Sequence, residues 1–139
     1  MLASSKLIAF IPSADLARAR AFFERVLGLR FVSEDPFAVV FDAAGLMLRV
    51  VTVPNFKPAP YTILGWTVPD IERYAKALQA RGVAFLRYPN MEQNALGIWT
   101  SPSKAKVGWF HDSDENVLSL TEFASGKRKK KPGERRRKG

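Results

Sequence analysis

Asp15-Leu16-Ala17-Arg18 and Asp70-Ile71-Glu72-Arg73 open two amphipathic stretches that lie 55 residues apart, and the parallel between them decides the fold. Each follows a short apolar run, residues 7–11 and 63–68, with a proline just before the aspartate (Pro12, Pro69). Each ends at a glycine, Gly28 or Gly82, the natural residue past a helix end. Self-similarity at a fixed spacing marks a duplicated structural unit. Within the first stretch Leu16, Ala19, Phe22, Phe23, Val26 and Leu27 recur at helical spacing. Ser13 or Asp15 is the expected N-cap.

Working outward, residues 30–34, 37–42 and 46–53 are three strand candidates, with Asp35-Pro36 and Ala43-Ala44-Gly45 as turns. The order repeats after two prolines in residues 55–60. Residues 61–68 predict a strand, 70–81 a helix, and 83–87, 97–100, 106–110 and 117–122 further strands. The expected class is α+β. Two βαβββ modules, 1–54 and 61–124, are joined by the linker 55–60 into one domain with a curved mixed-sheet cavity and outer helices. A basic tail, 125–139, follows. The acidic turn 112–116 predicts a hairpin rather than a calcium loop, since it lacks the twelve-residue spacing and closing glutamate of an EF-hand.

Composition narrows the function. A chain of 139 residues buries roughly two-thirds of its unfolded surface, enough for one core without staples. There is no cysteine, which excludes disulfides and thiolate chemistry and suits a cytoplasmic setting. No apolar run is long enough to span a membrane. The net charge of +9 is local: residues 126–139 hold nine Lys/Arg and one Glu, leaving 13 Lys/Arg against 12 Asp/Glu elsewhere. That tail has no apolar anchor and is expected to be disordered. Its cations at 127–138 offer non-specific nucleic-acid contact through phosphates. His111 is the only histidine, so no histidine pair exists. No glycine-rich phosphate loop is present.

Three stretches carry a resemblance: residues 15–29, with Asp15-Leu16, Phe22-Phe23 and Leu27-Gly28-Leu29; Val68-Pro69-Asp70-Ile71-Glu72; and the closing hairpin from Phe110-His111-Asp112 to Asn116-Val117-Leu118. Together they resemble the vicinal oxygen chelate superfamily of glyoxalase I, bleomycin-resistance proteins and extradiol dioxygenases. The resemblance implies a U-shaped cavity. In the enzymes of that family the cavity holds one divalent metal, a Lewis acid for two adjacent substrate oxygens. Up to four His, Gln or Glu residues on the first and last strands of each module hold it.

Those positions map here by counting. Seven residues before each helix-opening aspartate lie Ile8 and Ile63, and three after Asn116 lies Ser119. Setting Gly45 opposite Asn116 gives Leu48. Ile8, Leu48, Ile63 and Ser119 offer no divalent-cation donor set, and a slip of one residue supplies none either. No metal cofactor is therefore expected.

Strand alternation sets Ile8, Phe10, Leu46, Leu48, Val50, Ile63, Gly65, Thr67 and Ser119 toward the cavity, with Tyr61, Trp99 and Trp109 at its wall. Such a lining suits a small apolar or aromatic ligand, unless these residues fill a closed core. Arg49 pairs either with an anionic ligand group or, as the favoured reading, with Glu34, Asp42 or Glu122. The expected function is small-molecule binding by a metal-free homodimer. A metal-dependent lyase or dioxygenase of the same superfamily, or tail-mediated nucleic-acid binding, is the alternative.

Overall fold

The computed structural model describes residues 1–124; the basic tail and its proposed nucleic-acid contact lie outside the described residues. The first module runs β1 (Ile8–Ser13), α1 (Leu16–Ala21), β2 (Arg30–Glu34), β3 (Ala38–Ala43) and β4 (Leu46–Thr52). The second runs β5 (Thr62–Thr67), α2 (Ile71–Ala80), β6 (Trp99–Thr100), β7 (Lys106–His111) and β8 (Val117–Glu122). Each builds its own four-stranded mixed sheet, in the orders β1-β4-β3-β2 and β5-β8-β7-β6. The first strand of each module pairs in parallel with its last, and the others pair antiparallel. The fold is α+β with two modules. No helix among the described residues is long and apolar enough to cross a membrane.

The repeated aspartates set both helix starts. Asp15 Oδ1 accepts from Arg18 N at 3.1 Å, and Asp70 Oδ1 accepts from Arg73 N at 3.2 Å. Each satisfies an amide that the first helical turn leaves unpaired. Ser13 serves the cap rather than being it: its Oγ accepts from Asp15 N at 3.0 Å. Glu122 Oε1 adds a further acceptor for Ile71 N, at 2.9 Å. After Ala21 the first helix widens into a π turn, Phe22–Val26, with Leu27 N bonding Phe22 O at 3.0 Å.

One buried cluster joins the helix-facing sides of both sheets. Ile11, Phe23, Phe41 and Leu48 enter it from the first module, and Ile71, Phe110, Leu118 and Leu120 from the second. Each fully buried apolar side chain contributes about 1.5–3 kcal/mol relative to exposure. The hairpin of the second module locks onto the first. Asn116 Nδ2 donates to Pro12 O at 3.0 Å, Ala14 N to Asp114 Oδ1 at 2.9 Å, and an Arg18 Nη to Ser113 O at 2.9 Å. The 112–116 turn is thus a hairpin that ties the modules together. Inside it Asp112 Oδ1 accepts from Asp114 N and Asn116 N, and Oδ2 from Asn116 Nδ2. Burial nevertheless raises the Asp112 pKa above the usual carboxylate value, because desolvation outweighs these bonds.

The strand expected at 83–87 does not form. Phe85 makes an isolated bridge to Phe110, and Leu86 N bonds Trp109 O at 2.8 Å. Gln93 captures the rest: its side chain accepts from Tyr88 N and donates to Leu86 O and Gly97 O, each at 2.8 Å. Those backbone groups are then unavailable to a ladder. The outer edge of β7 is shared between this segment and the two-residue β6.

Candidate functional site

The two modules close their last hairpins differently, and this sets which side chains face away from the shared core. In the first module Ala43 pairs with Leu46 across Ala44 and Gly45, which have φ of 52° and 90°. Positive φ at both central residues is the two-residue hairpin turn whose twist matches the strands. In the second, Asp112 N bonds Asn116 O at 3.0 Å, so Ser113, Asp114 and Glu115 make a longer loop. Leu46, not Gly45, is therefore the counterpart of Asn116, and Arg49, not Leu48, that of Ser119. The ladders agree: Phe10 lies beside Arg49 as Gly65 lies beside Ser119.

This corrects the expected lining. Leu48 is 1% exposed and belongs to the core, as does Val50, while Leu46 shares their face of β4. A slip of one residue moves every side chain of a strand to the other face. The outer face of the first sheet instead carries Ile8, Phe10, Met47 and Arg49. Ile8 is 47%, Phe10 61% and Met47 41% exposed. A cavity of about 380 Å³ lies on this face, lined in part by Ile8, Val40, Met47, Arg30 and Asp42.

The second sheet's outer face carries Trp99, Trp109 and Ser119. Trp109 is opposite Ser119, and Trp99 is opposite Val107 on the same face. The Trp99 and Trp109 rings lie 6.2 Å apart, and Tyr88 meets Trp109 edge-on at 5.4 Å. Tyr88 was not singled out in the sequence, because no period marks a loop residue that stacks on a strand. Ile63 sits in a bulge of β5, half-buried against the core. Gly65 leaves room for Ser119: a Cβ there would lie 2.5 Å from Ser119 Oγ. His111 is exposed at the end of β7.

The structure thus groups Ile8, Phe10 and Arg49 on one sheet and Trp99, Trp109 and Ser119 on the other. Both groups face away from the shared core. A larger cavity, of about 480 Å³, lies on the helix side, lined in part by Leu27, Leu29, Trp66, Tyr74 and Arg81. Arg81 closes its rim by donating to Val26 O at 2.8 Å. Its walls are the side chains that pack one module on the other, and it shares no residue with the outer faces described above.

Arg49 does not pair with the acids expected of it. Glu34 bonds Arg20 at 2.6 Å, Asp42 lies 3.6 Å from Arg30, and Glu122 caps α2. No ion pair of Arg49 occurs among the described residues.

With the register corrected, the positions that the resemblance implies for metal ligands are Ile8, Arg49, Ile63 and Ser119. Two alkyl groups, a cation and a hydroxyl do not fit a divalent metal. Among the described residues no three His, Asp or Glu side chains converge into a metal-binding group.

Two βαβββ units, each with a parallel first-and-last strand pair, define the paired-module fold of the chelate proteins. Residues 7–120 match the Glyoxalase/Bleomycin resistance protein/Dioxygenase superfamily, and the chain belongs to it. Among solved structures it is similar to TnmS3, an antibiotic binding protein from Streptomyces sp. CB03234, at 22% identity and a TM-score of 0.69, covering 89% of this chain and 99% of that one. It is also similar to the fosfomycin resistance protein FosX from Listeria monocytogenes, at 15% identity and a TM-score of 0.69, covering 91% and 98%. Lactoylglutathione lyase from Agrobacterium tumefaciens aligns at 18% identity with a TM-score of 0.67, covering 86% and 93%. No curated protein sequence matches the chain.

Proposed function

We propose that this protein binds a small apolar or aromatic molecule without a metal, as a homodimer in which one copy's first sheet closes over the other's second. The observation that carries the reading is the residue set Ile8, Arg49, Ile63 and Ser119 at the four positions where a metal would be held. A donor set without carboxylate or imidazole gives a divalent ion nothing to replace its hydration shell. The aromatic group Trp99, Trp109 and Tyr88 offers flat apolar surface to a ligand. The antibiotic-binding relative and the fosfomycin resistance protein make sequestration of a small toxic molecule a consistent role.

Ile8, Phe10 and Met47 are large, exposed neighbours on the outer face of the first sheet, Ile8 and Phe10 on its edge strand β1, and Val32 is exposed on the opposite edge strand β2. Contiguous exposed apolar surface on a sheet marks an interaction face. A second copy placing its tryptophans over this face would remove both patches from water and enclose a cavity.

Native mass spectrometry of freshly purified, untagged protein tests the reading, with a denatured control. The expected result is a dimer mass without metal, with or without an organic adduct lost on denaturation. A stoichiometric divalent metal would overturn it and favour the lyase or dioxygenase alternative.

A further inference from the structure

We infer that Arg49 anchors the ligand through a carboxylate, so that the preferred ligand is a small apolar monoanion. The inference rests on the binding function proposed above and names its substrate class. Arg49 is half-buried, and its in-register neighbours are apolar: Phe10 on β1 and Val40 on β3. A guanidinium partly removed from water in such a setting gains most from a counter-ion. The three acids that the sequence offers it as partners are committed elsewhere, Glu34 to Arg20, Asp42 to Arg30 and Glu122 to the α2 cap.

Among the described residues Arg25 and Arg73 also lack a side-chain partner, but both are exposed, whereas Arg49 is half-buried. Arg20 binds two glutamates and covers the Phe31 ring at 3.7 Å. Arg18, Arg81 and Arg87 each donate to a backbone carbonyl, at 2.9, 2.8 and 2.7 Å. Arg49 makes no such hydrogen bond among the described residues, yet it occupies the counterpart of Ser119 at the heart of the outer face.

The chemistry of the group follows. The planar guanidinium fork takes two oxygens of one carboxylate side by side. A metal ion at this place would hold two adjacent oxygens too, so the arginine replaces its gripping function but not its Lewis acidity. The charge count favours a monoanion. Of the two cations that line the neighbouring cavity, Arg30 is offset by Asp42 and Lys6 is exposed to solvent, which leaves Arg49 as the half-buried unpaired charge on this face. The apolar body of the ligand then lies on Phe10, Ile8 and Met47, beside a cavity of about 380 Å³ that Ile8, Val40 and Met47 help to line and that suits a molecule of one or two rings.

The test is calorimetric titration of the full chain with 2-naphthoate and with the neutral isostere 2-naphthamide. Wild type is expected to bind the carboxylate at least about tenfold tighter than the amide, as a charge-assisted bidentate bond implies. Arg49→Met should reduce naphthoate to the amide's affinity and change naphthamide by less than about twofold. Arg49→Lys keeps the charge without the fork and should retain part of the preference, which also guards against misfolding of the methionine variant. Equal binding of the two probes by wild type, or a carboxylate preference that survives Arg49→Met, would overturn the anchor and leave the apolar cavity standing. Failure of both probes on wild type would overturn the cavity and the anchor together.

Discussion

The first module places a phenylalanine beside an arginine where the second places a glycine beside a serine. The backbone frame is the same: a parallel first-and-last strand pair, a helix capped by aspartate and an antiparallel hairpin. One face is bulky, cationic and exposed; the other is hollowed at Gly65 and walled by Trp99 and Trp109. The frame is repeated while the outer faces differ, so the two modules share a backbone and not a surface chemistry.

The largest effect is expected at the shared core, to which both modules contribute. Phe110→Ala removes a ring that is 0% exposed and lies 5.5 Å from that of Phe85. It should cost about 3–5 kcal/mol in urea unfolding. Phe10→Ala, on the outer face, should cost far less, and equal losses would mean that Phe10 is already buried in solution.

The hairpin that ties the modules comes next. Asp112→Ala leaves three donors without their acceptor, Asp114 N, Asn116 N and Asn116 Nδ2. The expected loss is about 2–3 kcal/mol. Its pH dependence has a defined sign. The folded-state pKa of Asp112 lies above the unfolded one, so the folded protein binds the proton more readily. Its burial then costs stability at neutral pH, and that cost is relieved as pH falls through the raised pKa. The stability gap between wild type and Asp112→Ala should therefore widen on acidification from neutral. A gap that narrows would show that the hydrogen bonds to the ionised carboxylate dominate.

A smaller effect sharpens the hollow half. Gly65→Ala drives a Cβ toward Ser119 Oγ and should destabilise by about 1–2 kcal/mol, with Ser119→Ala in the same chain recovering most of it. Additive losses in the double variant would mean that the strain lies in the backbone instead. The smallest effect on the stability of the isolated monomer, measured at concentrations too low for dimerisation, is expected for Phe10→Asp, within about 0.5 kcal/mol, since its side chain is mostly outside the monomer's core. The same substitution should turn the proposed dimer into a monomer in light scattering coupled to size exclusion. A dimer that persists would place the interface elsewhere.

Much of this protein was determined by the sequence alone. The repeat at Asp15 and Asp70, the alternation of helical and strand periods and the glycines after each helix specify two βαβββ modules, because these signals act over a few residues. The lack of metal-binding residue types is also local information, and it holds under either register. Tertiary structure decided what depends on pairing. The two-residue turn at Ala44-Gly45 against the longer loop at 113–115 moved Arg49 to the outer face and Leu48 into the core. Strand periodicity of two gives opposite answers for a one-residue difference, and only the ladder counts the turn. Likewise residues 83–87 are apolar enough to form a strand, but the Gln93 side chain takes Leu86 O and the adjoining Tyr88 N, a side-chain bond to the backbone that strand periodicity does not record. The engagement of Glu34, Asp42 and Glu122 with other groups, which leaves Arg49 without an ion pair among the described residues, is likewise set by which side chains the folded chain brings within reach.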